Sequence, residues 1–443
     1  MRHKIKGMLL LAVASVLAVS CVDDDDRIFD ESSAQRMNGY VADCRKTLVS
    51  AEYGWAIDFY PYNTSMGGYA LAARFDGDKV TMCAEYGLHD DILDREYPAG
   101  TEFVSLYEVK GEQSALLTFD TYNTLIHYWS EPFSDESPNG YMSDYEFMIM
   151  RVTDNEIVLR GKKYGNTMRM TRLTMPCSDY IREEVATRAK QAVIPRMRLV
   201  AGGRSVGIKI SGTVMTLGEP DDNGTTTVPF TYTATGLRLY EPVSFGGTEM
   251  LDFRLDASGN LVSGGASIPY PTPAEIFAGA AKPWYFDYYL TAGTFDMCDE
   301  LRDKLLEAER QAEAIPYYKN RFVAMTFGKS NSHKQGFSNY PECIGWEAMQ
   351  PYRYEPLYIG YDVTFEVRGD NEIGISPIGP GAFFLPTNNP NFNQMLTPLV
   401  DWFMAKSPYR IVDGDTEGMK MESVADPSCW FRLTITNSMH WFD

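Results

Sequence analysis

The sequence predicts an α+β fold dominated by β structure: an N-terminal helix plus an antiparallel β-meander or barrel-like domain, followed by one or two further α+β domains. Three observations predict it. Hydrophobic residues make up 44% of the chain and aromatic residues 13%, which is the composition of folded cores rather than of a disordered chain. The 443 residues exceed the roughly 250–300 at which a single core stops growing, so two or three domains are expected. Short alternating or aromatic segments separated by turn residues recur through most of the chain, whereas helical periodicity is confined to a few stretches.

Residues 1–20 read as a lipoprotein export signal. A basic start (Arg2, Lys4, Lys6) precedes an apolar run over 8–19, followed by Ala18-Val19-Ser20-Cys21. Spanning a bilayer takes roughly 20 apolar residues, so this run is too short to cross and suits a cleaved signal. Small residues directly before a cysteine resemble a lipobox, which makes Cys21 the lipidated first residue of the mature protein. Residues 21–30 form an acidic tether, where Asp23, Asp24, Asp25 and Asp26 repel one another and keep the segment extended. Beginning two residues after Cys21, the acidic run also resembles an export address for the outer face of the outer membrane.

Residues 31–175 are expected to form the first folded body. Met37, Val41, Cys44 and Leu48 recur every three or four positions, so a helix runs over 31–52, with Asp30, Ser32 or Ser33 as its cap and Gly54 as its end. Strands are expected near 55–60, 68–75, 79–85, 102–107, 115–119, 125–129, 145–151, 156–161 and 168–173. Turns at 76–78, 153–155 and 164–166 join neighbouring runs as hairpins, and closing or nearly closing the meander into a barrel disposes of exposed edges. Residues 176–195 read as a charged connecting helix capped by Ser178 and stopped by Pro195. A second β-rich region over 196–290 is broken by turns at 221–224 and 257–260. The C-terminal α+β region, 291–443, carries helices over 294–314 and 391–405, a polar irregular loop over 330–354, and closing strands near 409–412, 418–423 and 430–436.

The formal charge is −20. Removing the signal takes away three basic residues and no acidic one, leaving −23. Nucleic acid is therefore excluded as an expected partner, since binding phosphates needs a basic face. The same charge disfavours adsorption to anionic lipid, so membrane attachment is expected through acyl chains at Cys21. Beyond Cys21, the cysteines at 44, 83, 177, 298, 343 and 429 permit up to three disulfides in 15 pairings, but their scatter is that of singly buried thiols.

No catalytic, cofactor or metal constellation stands out. His89, His127, His333 and His440 are the mature chain's histidines, with no zinc-helix spacing and no paired cysteine motif. Gly203-Arg204-Ser205-Val206-Gly207 matches a nucleophile-elbow pattern, but Ile208-Lys209-Ile210 continues as strand where a helix is required. Gly328-Lys329-Ser330 lacks the first glycine of a phosphate loop, with Val323 at that position. Asp413, Asp415 and Glu417 begin like a calcium loop, yet Val424 stands where the bidentate glutamate is needed, so a hairpin turn is expected. The densest aromatic run, at 284–289, nominates Trp284, Tyr285 and Tyr288 as residues that could stack on sugar rings. Core packing competes with that reading there, as it does for the aromatic segment at 122–129.

Several stretches carry a family resemblance: Arg27-Ile28-Phe29-Asp30, Ala34-x-Arg36, Gly54-Trp55, Gly67-Gly68-Tyr69, residues 117–123 (Leu-Thr-Phe-Asp-Thr-Tyr-Asn), Tyr145-Glu146-Phe147 and Leu159-Arg160-Gly161-Lys162-Lys163. Together they resemble the Bacteroidota lipoproteins grouped as domain of unknown function 4302. The likeness runs over most of the mature chain and is clearest up to Leu173, with Ser143-Asp144 departing from the Gly-Gly-like pair expected before the Glu-Phe motif. The resemblance implies an anchored cell-envelope protein accompanying outer-membrane nutrient uptake, and it transfers no catalytic residue. The expectation is thus a surface-exposed, lipid-anchored outer-membrane lipoprotein that binds a glycan or peptide, or serves as an accessory, for an uptake complex. A structural or assembly partner of an outer-membrane complex and a carboxylate-dependent hydrolase are the alternatives.

Overall fold

The computed structural model describes residues 32–435 except 62–63, 91–93, 133, 135–137, 219–224, 281–282, 287, 290–293, 316–320, 330–341, 350–355, 379–382 and 385–389. The export signal, Cys21, the acidic tether and the turn at 221–224 lie outside the described residues. With 45% strand against 23% helix, the fold is α+β with β dominant.

Ser32 caps the first helix, α1 (Ser33–Val49). Its hydroxyl accepts from the Gln35 N–H at 3.2 Å while the Gln35 side chain accepts from the Ser32 N–H at 2.9 Å, satisfying donors that a helix start leaves over. Cys44 and Leu48 carry the helix onto the core of the first sheet. Gly54, at φ +88°, then turns the chain into strand; a Cβ there would collide with the Ala73 carbonyl and lie 2.8 Å from the Cys177 sulfur. Only glycine fits that entry.

The strands that follow are β1 (Trp55–Phe59), β2 (Tyr69–Asp76), β3 (Lys79–Ala84), β4 (Leu88–Asp90), β5 (Arg95–Tyr97), β6 (Phe103–Leu106), β7 (Glu108–Gly111), β8 (Ala115–Thr118), β9 (Glu146–Val152), β10 (Glu156–Gly161) and β11 (Thr167–Arg172). Apart from the β4–β5 ribbon they make one antiparallel sheet in the order β6-β3-β2-β1-β11-β10-β9-β8-β7. Only Tyr107 separates the two edge strands in sequence, so the sheet must curl until its edges meet. Tyr107 pins that seam, donating its N–H to Asp78 O and its hydroxyl to Gly77 O, each at 3.0 Å. The strand expected at 125–129 is instead a helical turn, α2 (Thr124–His127), because the Asn123 side chain accepts from the Leu125 N–H and caps it.

The connecting helix, α3 (Cys177–Ala192), starts one residue before Ser178, after Pro176. Cys177, Tyr180 and Ile181 pack on Ala56, Ala70 and Ala72, small residues that let the helix approach the sheet. At its far side Thr187 donates to Ala234 O of the second body at 3.0 Å. That body is a closed barrel of β12 (Arg198–Ala201), β13 (Arg204–Ser211), β14 (Val214–Leu217), β15 (Thr226–Thr233), β16 (Gly236–Phe245), β17 (Thr248–Leu255), β18 (Leu261–Ser263) and β19 (Ala266–Ile268), with β12 pairing β19. Ser205 pairs with Val200 across the β12–β13 hairpin, so the elbow-like motif is plain strand.

The third body comprises α4 (Pro273–Gly279), β20 (Trp284–Phe286), the ribbon of β21 (Tyr288–Tyr289) and β22 (Thr294–Phe295), α5 (Asp299–Ala314), β23 (Arg321–Lys329), β24 (Glu342–Met349), β25 (Pro356–Arg368), β26 (Glu372–Pro377), β27 (Phe383–Phe384), α6 (Pro390–Lys406), β28 (Tyr409–Gly414), β29 (Gly418–Ser423) and β30 (Trp430–Thr434). Its sheet runs β24-β23-β20-β30-β29-β28-β26-β25-β27, and β24 also pairs β25, which joins the order into a ring. β24 occupies part of the stretch expected to be an irregular loop over 330–354. Its Cys343-Ile344-Gly345-Trp346 segment is buried on both faces, so the alternation that marks a half-exposed strand is missing. The Asp415 carboxylate accepts from the Glu417 and Gly418 N–H groups at 2.8 and 3.1 Å, which is the hairpin turn expected there.

Each body has its own apolar core. The six cysteines among the described residues are buried, and no disulfide joins any two of them. Among the described residues no helix is long and apolar enough to cross a membrane.

Candidate functional site

The segment at 122–129 folds as it does because of one asparagine. Asn123 is buried; its carboxamide oxygen accepts from the Leu125 N–H at 3.0 Å and its NH2 donates to Ser105 Oγ at 2.9 Å, pinning the turn to β6. Leu125, Ile126 and Trp129 then face the core, which forces Tyr122, His127 and Tyr128 to the other side.

His127 lies between two tyrosines. Its ring centroid is 5.3 Å from that of Tyr122 and 4.9 Å from that of Tyr145, nearly parallel to the latter at 19°. Tyr122 is 57% exposed and Tyr145 44%, so the three rings form a layered aromatic face open to solvent. His127 Nδ1 lies 3.1 Å from both the N–H and the carbonyl oxygen of Asn123, accepting from the first in one tautomer and donating to the second in the other. Burial lowers the His127 pKa below its ordinary value, more than the Asn123 backbone and Glu131 raise it. At neutral pH the imidazole is therefore uncharged.

A second group backs the first. Tyr128 is 40% exposed and lies 6.1 Å from Tyr141, while buried Trp129 packs 5.2 Å from Tyr141 and 4.6 Å from Tyr69. Trp129 Nε1 donates to the Tyr86 hydroxyl, which donates to Leu125 O, both at 2.9 Å. This relay satisfies the buried polar atoms and holds α2 rigid beneath the exposed rings. Burial raises the Tyr122 pKa, as does a hydrogen bond to Glu131, so the phenol stays protonated. The face thus offers flat aromatic rings rimmed by hydroxyl and imidazole groups, with the Glu131 carboxyl beside Tyr122 and His127. Among the described residues no group of three His, Cys, Asp or Glu side chains is placed to hold a metal ion.

The aromatics nominated at 284–289 are placed elsewhere. Trp284 is 1% exposed, stacks 6.3 Å from Phe277 and donates its indole N–H to Phe277 O at 3.2 Å, so it is core of the third body and presents no face to a ligand. Tyr285 is half-buried on β20 between Thr326 of β23 and Thr434 of β30. Tyr288 lies in the β21–β22 ribbon opposite Phe295. Cys21, the lipidation candidate, lies outside the described residues. Sequence alone weighs 122–129, like 284–289, between sugar stacking and core packing and predicts a strand over 125–129, so nothing in it brings Tyr145 beside Tyr122 and His127. The available signal was Asn123 as a cap, with Leu125, Ile126 and Trp129 at helical spacing behind it.

A search of curated proteins finds no match to this sequence. A family model, that of a domain of unknown function (DUF4302), matches residues 25–257, covering the first sheet, α3 and the barrel through β17 and so extending well past the clearest stretch of resemblance at Leu173. The aromatic face falls inside that span, the third body falls outside it, and the chain belongs to the DUF4302 family.

Proposed function

We propose that this chain is the body of a Bacteroidota surface lipoprotein, anchored in the outer membrane through Cys21, that binds a neutral glycan and presents it to a nutrient-uptake complex. The observation that carries the binding role is the exposed Tyr122–His127–Tyr145 stack. Stacked rings offer flat apolar area to the apolar face of a sugar, while the phenol hydroxyls and His127 Nε2 supply directional hydrogen bonds at the rim. A rigid platform loses little entropy on binding, and the Trp129–Tyr86–Leu125 relay supplies that rigidity. Neutral glycans are favoured over anionic ones because the formal charge of −20 repels acidic sugars at long range. The anchored location rests on the signal-like start, Cys21 and the acidic run behind it.

The test is a thermal-shift screen of the soluble chain without its signal against neutral glycans, acidic glycans, peptides and calcium. Ligand at about 100 times its Kd stabilises the folded state by about 2.7 kcal/mol, which a melting curve resolves. A dose-dependent rise with a neutral glycan supports the reading. A rise with peptides alone moves the ligand class, and no rise with any of them transfers the weight to an assembly partner of an outer-membrane complex.

A further inference from the structure

Between the first sheet and the barrel lies a carboxyl pair that the ligand reading does not use. Glu85 directly follows β3 and Glu184 sits on α3, one turn beyond Tyr180 and Ile181, which seat the helix on the sheet. Glu184 is 0% exposed and the Glu85 side chain 1%. The two carboxyls lie within hydrogen-bond reach of each other. Neither oxygen of Glu184 meets an N–H or O–H donor among the described residues. Arg188, one turn further along α3, brings Nη1 to 3.1 Å from Glu85 Oε1.

The groups facing the pair come from every element around it: Tyr69 of β2, Tyr86 after β3, Tyr180 and Arg188 of α3, and Tyr232 of β15. Burial raises the pKa of all four phenols, so they are neutral and bring no compensating charge. Arg188 is the cation that acts on both carboxyls. Two carboxylates against one guanidinium would leave a net negative charge sealed from water, an arrangement that costs several times what a paired charge does. One proton makes the cluster neutral. The same proton supplies the donor that Glu184 lacks, as an O–H···O⁻ bond of the strong, charge-assisted kind.

We propose that Glu85 and Glu184 share a single structural proton at neutral pH, and that this proton holds α3, and with it the barrel, against the first sheet. Burial first, and the Glu85 charge second, push the Glu184 pKa up to about 10. Glu85 is also raised by its burial, against the pull of Arg188. The unfolded chain releases such a proton at about pH 4.3. Stability from the site is therefore fully present below that pH, declines as pH rises, and is lost once the folded state gives up the proton near pH 10. Alkali, rather than acid, loosens the seam.

Infrared titration of the soluble chain tests the proton directly, because a protonated carboxyl absorbs apart from carboxylates. The expected result is one protonated-carboxyl band that persists at about pH 8, where ordinary carboxyls are ionised, and disappears between about pH 9 and 11. Glu184→Gln, which keeps volume and a donor without the titration, should lack that band. Its melting point should match the wild type at about pH 5 and exceed it increasingly toward about pH 9, whereas Glu183→Gln, an exposed control, should show no such trend. No protonated-carboxyl band at about pH 8 in the wild type overturns the proposal, and so does a melting-point difference that stays flat with pH. If Glu184→Gln does not fold, the wild-type infrared titration decides alone.

Discussion

Arg238 of β16 reaches out of the barrel to place Nη1 3.3 Å from Asp58 Oδ2 on β1 of the first sheet. The same nitrogen donates to Thr171 Oγ1 on β11 at 2.7 Å, and the guanidinium Nε pairs with Asp252 on β17. One side chain thus stitches two strands of each body together. Asp58 is 4% exposed; its burial raises its pKa against the attraction of Arg238, while Arg238's own burial, which lowers its pKa, is outweighed by Asp58 and Asp252, which together hold it more basic. The pair is a seam fastener whose halves depend on each other.

Removing one half should therefore be severe. Arg238→Ala leaves Asp58 buried without its counter-charge and is expected to cost about 3–5 kcal/mol in chemical denaturation. The double variant Asp58→Asn, Arg238→Met should cost clearly less than the sum of the two single changes, since neither leaves a buried charge in its background. Additive losses would show that the two side chains do not act as a pair.

Trp284→Ala is predicted to cost about 3–5 kcal/mol, because it empties a large volume in the core of the third body and leaves Phe277 O without its donor. Glycan affinity should not change with it. A loss of affinity at unchanged stability would return the ligand site to the aromatic run at 284–289.

The state of His127 is set by burial between its tyrosines. Its folded pKa is lowered, so the folded state resists protonation, and its contribution to stability is present above about pH 6.5 and lost as pH falls through the depressed value. Ring-proton NMR should find His127 titrating below the ordinary histidine value of about 6.5, and Tyr122→Ala should move its midpoint back toward that value. A midpoint at or above about 6.5 would contradict the stacked, half-buried ring.

The address has its own check. Metabolic labelling with a palmitate analogue should mark the wild-type chain and spare Cys21→Ala; equal labelling of both would remove Cys21 as the lipid site.

Much of the fold was legible because its signals are local. The Ser32 cap and the turn at Gly77 each lie within four residues of the element they define. Elements fixed from a distance were not legible. Asn123 caps α2 locally, but the capping side chain is itself held in place by Ser105, 18 residues away. The curl of the first sheet rests on Tyr107, which looks like any strand residue until β6 and β7 are seen at opposite edges. Trp284 was nominated for its neighbours in sequence, but Phe277 covers its face. Glu85 and Glu184 were two among sixty acidic residues, and only the packing of α3 on the sheet brings them together.

The most direct measurement is a calorimetric titration of the soluble chain with the neutral glycan that raises its melting point, repeated on Tyr122→Ala, Tyr145→Ala and the double variant. Both tyrosines are exposed, so each single change should alter stability by no more than about 0.5 kcal/mol. Each should weaken binding about tenfold, the equivalent of about 1.4 kcal/mol, and the double variant should bind no measurable ligand. Undiminished affinity in the folded double variant would contradict a ligand site on the Tyr122–His127–Tyr145 face.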